Sequence, residues 1–251
     1  MVTLTAPETA PHEAAAPAAS DGGAAPTVVD LADAPVRSLN QALHDAVDGQ
    51  SWTITSPGGK HSLAVGINAG VTVTIEGHAG YYAAGMHQKG DVTITGNAGV
   101  GLAENIMSGR VHVTGDASQS AAATGHGGLV VIDGNASARC GISMKGVDIV
   151  VGGNIGHMSA FMAQAGRLVV CGDAGEALGD SIYEARLFVR GQVQSLGADC
   201  IERPLALEEQ AVLADLLARA GVEGEASVGQ FRCYGSARRL YHFHVDHVDA
   251  Y

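Results

Sequence analysis

Aromatic side chains are scarce in this chain, at 4% of 251 residues, and charged ones reach only 16%. That mixture does not build a globule around one large core. Cations are the scarcer charges: Lys and Arg number 14 against 26 Asp and Glu, for a net charge of −12. Such an acidic chain lacks the electrostatic footprint of a nucleic-acid binder. The four cysteines, Cys140, Cys171, Cys200 and Cys233, form no C-x-x-C pair and have no zinc-ligand spacing. Reduced thiols in a cytoplasmic protein are the expectation. No apolar run is long enough to span a bilayer. Residues 1–26, rich in Ala, Pro, Thr and Glu, have neither the basic n-region nor the apolar h-region of a secretory signal, and a disordered tail is expected there.

Catalytic signatures are missing too. No G-x-G-x-x-G follows a strand and opens a helix, and there is no Walker loop or G-x-S-x-G elbow. Met1 is followed by Val2, so no N-terminal cysteine offers an amidotransferase nucleophile. No cysteine run suits an iron–sulfur cluster. His242 and His244, with Asp246 and His247 after them, form the one H-x-H pair that could chelate a metal from a strand face. The mixture of cations and aromatics around them suits docking better. His78, His87, His126 and His157 fall at unrelated points and read as scattered, solvated residues. Neither a catalytic, a cofactor-binding nor a metal-binding residue is assigned.

Glycine is plentiful, at 35 residues, and it is periodic. Gly77, Gly96, Gly115, Gly134, Gly153, Gly172 and Gly191 recur every 19 residues, each followed by a small polar residue (His or Gln at the two ends) and then by Ala, Ile or Val. A fixed period near 20 marks a repeat architecture. Before each anchor runs a short alternation: Val73/Ile75, Val92/Ile94, Val111/Val113, Val130/Ile132, Ile149/Val151, Leu168/Val170 and Leu187/Val189. Residues two apart share a strand face, so one face is expected buried and the other, with Thr74, Thr93 and His112, wet. The anchor glycine is expected to end the strand at a corner with positive φ. His78, Asn97, Asp116, Asn135, Asn154, Asp173 and Gln192 should stack as a polar ladder of turn chemistry, with no two acids adjacent. A second small residue recurs at Ala84, Ala103, Ala122, Gly141, Ala160, Gly179 and Ala198.

One repeat cannot bury its own apolar face, so repeats must stack. The pattern predicts an all-β fold: a right-handed parallel β-helix of about seven 19-residue coils with short flanking helices. A left-handed hexapeptide helix is disfavoured because 19 is no multiple of six. A leucine-rich repeat lacks its upstream leucines and helical half here. Residues 27–51 read as an N-terminal strand and a capping helix over Pro35–Val47, stopped by Gly49. Residues 52–200 form the β-helix, beginning with a degenerate coil in which Gly58 stands in the anchor register and Lys60 in the inward slot. Residues 201–251 hold a helix from Pro204 to Ala220, ended by Gly221, and a docking tail. The helix serves as a cap or packing element, with its apolar stripe on Val212, Leu213, Leu216, Leu217 and Ala220. Gln230–Tyr251 cannot join the coil. Its aromatics and arginines, among them Arg238, Arg239, Tyr241 and Phe243, suit packing partly on the rod and partly on a neighbouring subunit.

The run from Gly77-His-Ala-Gly-Tyr-Tyr-Ala-Ala-Gly-Met86 to Arg186-Leu-Phe-Val-Arg-Gly191 resembles the GXGXG domain, the β-helix at the C-terminus of the glutamate synthase large subunit. A related domain forms one component of formylmethanofuran dehydrogenase. With Pro35–Leu43 and Gly235–His244 included, the chain is most similar to the stand-alone GXGXG subunit of N-methylglutamate synthase. The resemblance implies a non-catalytic subunit of a hetero-oligomer that turns glutamate and methylamine into N-methylglutamate and ammonia. A glutamine amidotransferase-like subunit and an FMN-binding glutamate synthase-like subunit would be its partners. FMN and an iron–sulfur cluster would belong to a partner, and none is carried onto a residue of this chain. A formylmethanofuran dehydrogenase-like complex and a free-standing scaffold remain the alternatives.

Overall fold

The computed structural model describes residues 25–222 and 227–238. A short strand β1 (Thr27–Asp30) and a helix α1 (Val36–His44) lead into eight strands that stack in chain order. These are β2 (Ser51–Thr55), β3 (Thr72–Ile75), β4 (Asp91–Ile94), β5 (Arg110–Val113), β6 (Leu129–Ile132), β7 (Lys145–Val151), β8 (Ala165–Val170) and β9 (Arg186–Val189). From β1 to β9 every neighbour is parallel. From β3 onward the register steps by 19 residues: Val73, Val92, Val111, Val130, Ile149, Leu168 and Leu187 are successive partners. All seven are at most 1% exposed, which fixes this column as the inward face of the coils. The fold is the expected β-solenoid of about seven turns.

The period fails at the first turn. Trp52 pairs with Val73, 21 residues on, so Gly58 is out of register with Gly77. Lys60 points outward, and its ammonium donates to the Leu31 carbonyl at 2.6 Å. It ties the first coil to the segment after β1 instead of filling an inward slot.

A second ladder links Ala79, Ala98, Ala117, Ala136, Ile155, Ala174 and Val193 through single parallel bridges. The third side of each coil is not extended. Alternate residues there have positive φ, as at Tyr82, Ala84 and Met86, or Ser120, Ala122 and Thr124. The N–H groups point alternately to the coils on either side: Ala103 donates back to Ala83, and Asn105 donates forward to Ala123. A left-handed residue that is not glycine costs roughly 1 kcal/mol or more, and inter-coil hydrogen bonds hold the segment in place. This explains the second small column: six of its seven members, all but Ala198, are left-handed.

The ends depart from the expectation. α1 stops at His44, and Val47 lies beyond it, 63% exposed, because only Leu39 and Leu43 reach the core. At the other end the chain forms β10 (Cys200–Arg203), helix α2 (Leu207–Ala220) and β11 (Arg232–Ser236). The tail does join the sheet: β11 inserts between β9 and β10, antiparallel to both. Phe231, Cys233 and Tyr234 are thereby buried, so these aromatics are core residues. α2 does not plug the rod's end. It lies on the outer sheet face, where Leu213, Leu216, Leu217 and Ala220 cover Val131, Val150, Val169 and Phe188. The outer face is therefore wet only over the early coils, where the same register holds Thr74, Thr93 and His112. Gly221, at φ 81°, ends α2 as expected.

Candidate functional site

Six rungs of the polar ladder are built alike. His78 Nδ1 accepts the Asn97 N–H at 2.9 Å, and Asn97 Oδ1 accepts that of Asp116 at 2.9 Å. Asp116, Asn135, Asn154 and Asp173 repeat the bond to the backbone one coil on, ending at Gln192. Each side chain thus spends its acceptor on the solenoid itself, which bears out the turn-chemistry reading. The anchor glycines serve the same device. Of Gly77, Gly96, Gly115, Gly134, Gly153, Gly172 and Gly191, only Gly77 has a left-handed φ. The others are needed for space: a Cβ on Gly115, Gly134, Gly153, Gly172 or Gly191 would fall 2.2–2.5 Å from the preceding rung's Oδ1. The left-handed corner lies at the start of the strands instead, at Gly90, Gly109 and Gly128, with φ between 82° and 84°. Their 19-residue spacing was visible in the sequence.

The histidines are dispersed. His87 is fully buried, its Nε2 2.9 Å from the Gly90 carbonyl oxygen. Burial lowers its pKa and leaves it neutral. His126 and His157 are exposed. Among the described residues no three His, Cys, Asp or Glu side chains converge on a metal position. His242, His244, Asp246 and His247 lie outside the described residues. All four cysteines are buried, and burial pushes the Cys140 thiol up to about 12. They are packing residues.

A charged cluster marks the seam between α2 and the strands it covers. Asp148 is buried against Arg167 at 3.2 Å and Arg219 at 3.9 Å. Arg186 pairs with Glu209 at 3.2 Å, and Glu209 also accepts the Ala206 N–H at the helix start. Desolvation raises the Asp148 pKa even though both arginines oppose it. The native state then holds the Asp148 proton more tightly than the unfolded chain does. Stability must fall as pH rises from the ordinary carboxylate range through the raised pKa. Asp148→Asn is expected to be at least as stable as wild type at pH 7 in urea unfolding, with the difference shrinking on acidification. A loss above about 1 kcal/mol at pH 7 would show that the ion pairs outweigh the burial.

Of the docking residues read from the sequence, Arg238 is described and ion-pairs with Asp199. Arg239, Tyr241 and Phe243 lie outside the described residues. Sequence reasoning missed an exposed surface on the left-handed side of the coils. Met86, Met107, Met162 and Tyr183 are 43–53% exposed there, and Ile142, Met158 and Phe161 are half-buried beside them. Its signal was the placement of most of the chain's few methionines in one part of the repeat. Among the described residues no helix is long and apolar enough to cross a membrane.

Stacked coils, a self-consuming polar ladder and a sheet face covered by its own helix define a parallel β-solenoid built on Gly-Asn/Asp rungs. The chain is 58% identical over 227 residues to Protein GlxC of Rhizobium meliloti (strain 1021), covering 89% of this chain and 99% of that protein. It belongs to the same family as GlxC. No family model and no solved structure matches the chain.

Proposed function

We propose that this chain is a structural, non-catalytic subunit of a multisubunit glutamate synthase-like complex, and specifically of an N-methylglutamate synthase. The observation that carries the reading is the rung geometry. The glycine-rich motif that resembles the GXGXG domain is filled by its own coils, each anchor pressed against the amide or carboxylate of the rung before it. It sets the spacing of a stiff rod. Such a rod can hold an amidotransferase-like and an FMN-binding subunit in register. The identity to GlxC runs through 99% of that protein, and it supports a common architecture of rod and flanks for the two chains. The segment with Arg239, Tyr241 and Phe243 is proposed to join the rod to its neighbours.

The test uses the full chain, tagged, in its native host grown on methylamine. Recovery with an amidotransferase-like protein, an FMN-binding synthase-like protein and a flavin spectrum is the expected result. Recovery alone and colourless would overturn the reading. Recovery with a formyltransferase would move it to the formyl-transfer class.

A further inference from the structure

The two ends of the solenoid are finished differently. At the N-terminal end α1 lays Leu39 and Leu43 on the core and turns Arg37, Ser38, Gln41 and His44 to solvent. A terminal element with a polar outer face is what stops a stack of repeats from adding more. At the other end the sheet finishes at β10, and among the described residues no strand pairs with the far side of it. Ile201, inside β10, is 44% exposed. Leu207, at the start of α2 a few residues on, is 82% exposed, the highest value among the large apolar side chains described. An open edge flanked by exposed apolar side chains is a template for another strand.

The far side of β10 can be read from its near side. The Ala237 N–H donates to the Asp199 carbonyl at 2.7 Å, and Ile201 and Arg203 lie opposite Gly235 and Cys233 of β11. Antiparallel bonding alternates along a strand, so Ile201 and Arg203 bond toward β11. The N–H and C=O of Glu202 and the carbonyl of Cys200 then face outward. A second β10, run antiparallel, can meet these groups. With Ile201 opposite its own copy, Cys200 falls opposite Glu202 on both sides, and the outward groups pair. The same register brings Arg203 beside the other copy's Asp199, whose carboxylate already holds Arg238. Glu202, the acid on the inner side of the edge, keeps its Arg232 partner at 4.0 Å. Sliding by two residues one way sets Glu202 against Glu202, and Cys200 against Pro204, which has no N–H. Sliding the other way leaves only Cys200 of each β10 in the ladder.

We propose that the open edge of β10 is the interface with a second copy of this chain, the two solenoids joining end to end about a two-fold axis at Ile201. The pattern from Asp199 to Arg203 is its own complement, as an isologous contact requires. One sheet then runs through both rods. The outward ends of the pair are the two polar α1 helices, so assembly stops at two. The inference is independent of the identity of any partner complex and is tested on the full chain alone.

The first test is sedimentation at micromolar concentration. The full chain is expected at twice its mass of 25.4 kDa. Ile201→Lys, which sets two like charges on the axis, is expected at the mass of one chain, with an unchanged circular dichroism spectrum. The second test is Ile201→Cys under mild oxidation. The two positions 201 occupy a non-hydrogen-bonded site of the new ladder, about 4.5 Å apart at Cα, within reach of a disulfide. Peptide mapping should find position 201 linked to itself. Val28→Cys, on the open edge of β1 and 63% exposed, should stay unlinked. A full chain that sediments as a monomer would overturn the proposal, and so would an Ile201→Lys protein that remains dimeric. Links through position 28, or a ladder of higher masses, would overturn it too, because they would place the contact on the other edge or leave the assembly open.

Discussion

Ile149→Asp is expected to destabilise the protein by about 4 kcal/mol or more. Ile149 is fully buried in the inward column, paired in register with Val130 on one side and Leu168 on the other. A carboxylate there has no cation and no water. It must either protonate or drag the strand open. The site is in the middle of the stack, where each coil is held only by its two neighbours, so damage is felt on both sides. For a chain of this size, 4 kcal/mol corresponds to roughly 8–16 °C in Tm. The control is Thr93→Asp, on the outer face of the same sheet, where a loss under about 1 kcal/mol is expected. Thermal melts followed by circular dichroism decide it: an Ile149→Asp protein that melts with wild type would mean that the column does not point inward.

The inward column could be read because it depends on a local rule repeated many times. Alternation of Val and Ile fixes a strand face, and a constant 19-residue step fixes which strands meet. The outer face could have been read the same way. Thr74, Thr93 and His112 give way at the same register to Val131, Val150, Val169 and Phe188. An apolar outward column over four coils demands a cover, and α2 has the matching stripe at Leu213, Leu216 and Leu217. Reading each repeat singly hid that change.

Other features had no local signal. The pairing of β11 between β9 and β10 joins residues about forty positions apart in antiparallel register, and nothing in Arg232–Ser236 names its partner. The left-handed residues were harder still, because Ala84, Met86, Thr124 and Met162 are not residue types that announce positive φ. Hydrogen bonds from adjacent coils impose that conformation, so it belongs to the stack and not to the segment. The exposed methionine surface inherits the same difficulty. Its methionines were countable in the sequence, but that they share a side of the rod follows only from the turn geometry.

Gly115→Ala is expected to cost about 3 kcal/mol, and the reason is space, not backbone freedom. Gly115 does not have a left-handed φ, so alanine meets no backbone penalty of its own. Its Cβ would lie 2.2 Å from Asn97 Oδ1 and 2.9 Å from the Gly96 carbonyl oxygen. The amide must be pushed out, and Asp116 N–H then loses its acceptor at 2.9 Å. An orphaned N–H costs about 1–3 kcal/mol, and the forced shift of neighbouring backbone adds a similar amount. Asn97→Ala alone should cost about 1 kcal/mol, the worth of one hydrogen bond. The double variant separates the two causes. With the Asn97 amide gone the closest contact disappears, so the double variant should be more stable than the sum of the single losses predicts, by about 1–2 kcal/mol. Gly49 is the comparison site: its φ is 86° and nothing lies within 4 Å of its would-be Cβ. Alanine there should cost only the left-handed penalty, about 1 kcal/mol. Strict additivity between positions 97 and 115 in urea unfolding would show that the rung and the anchor are independent, and the two-part device would fall.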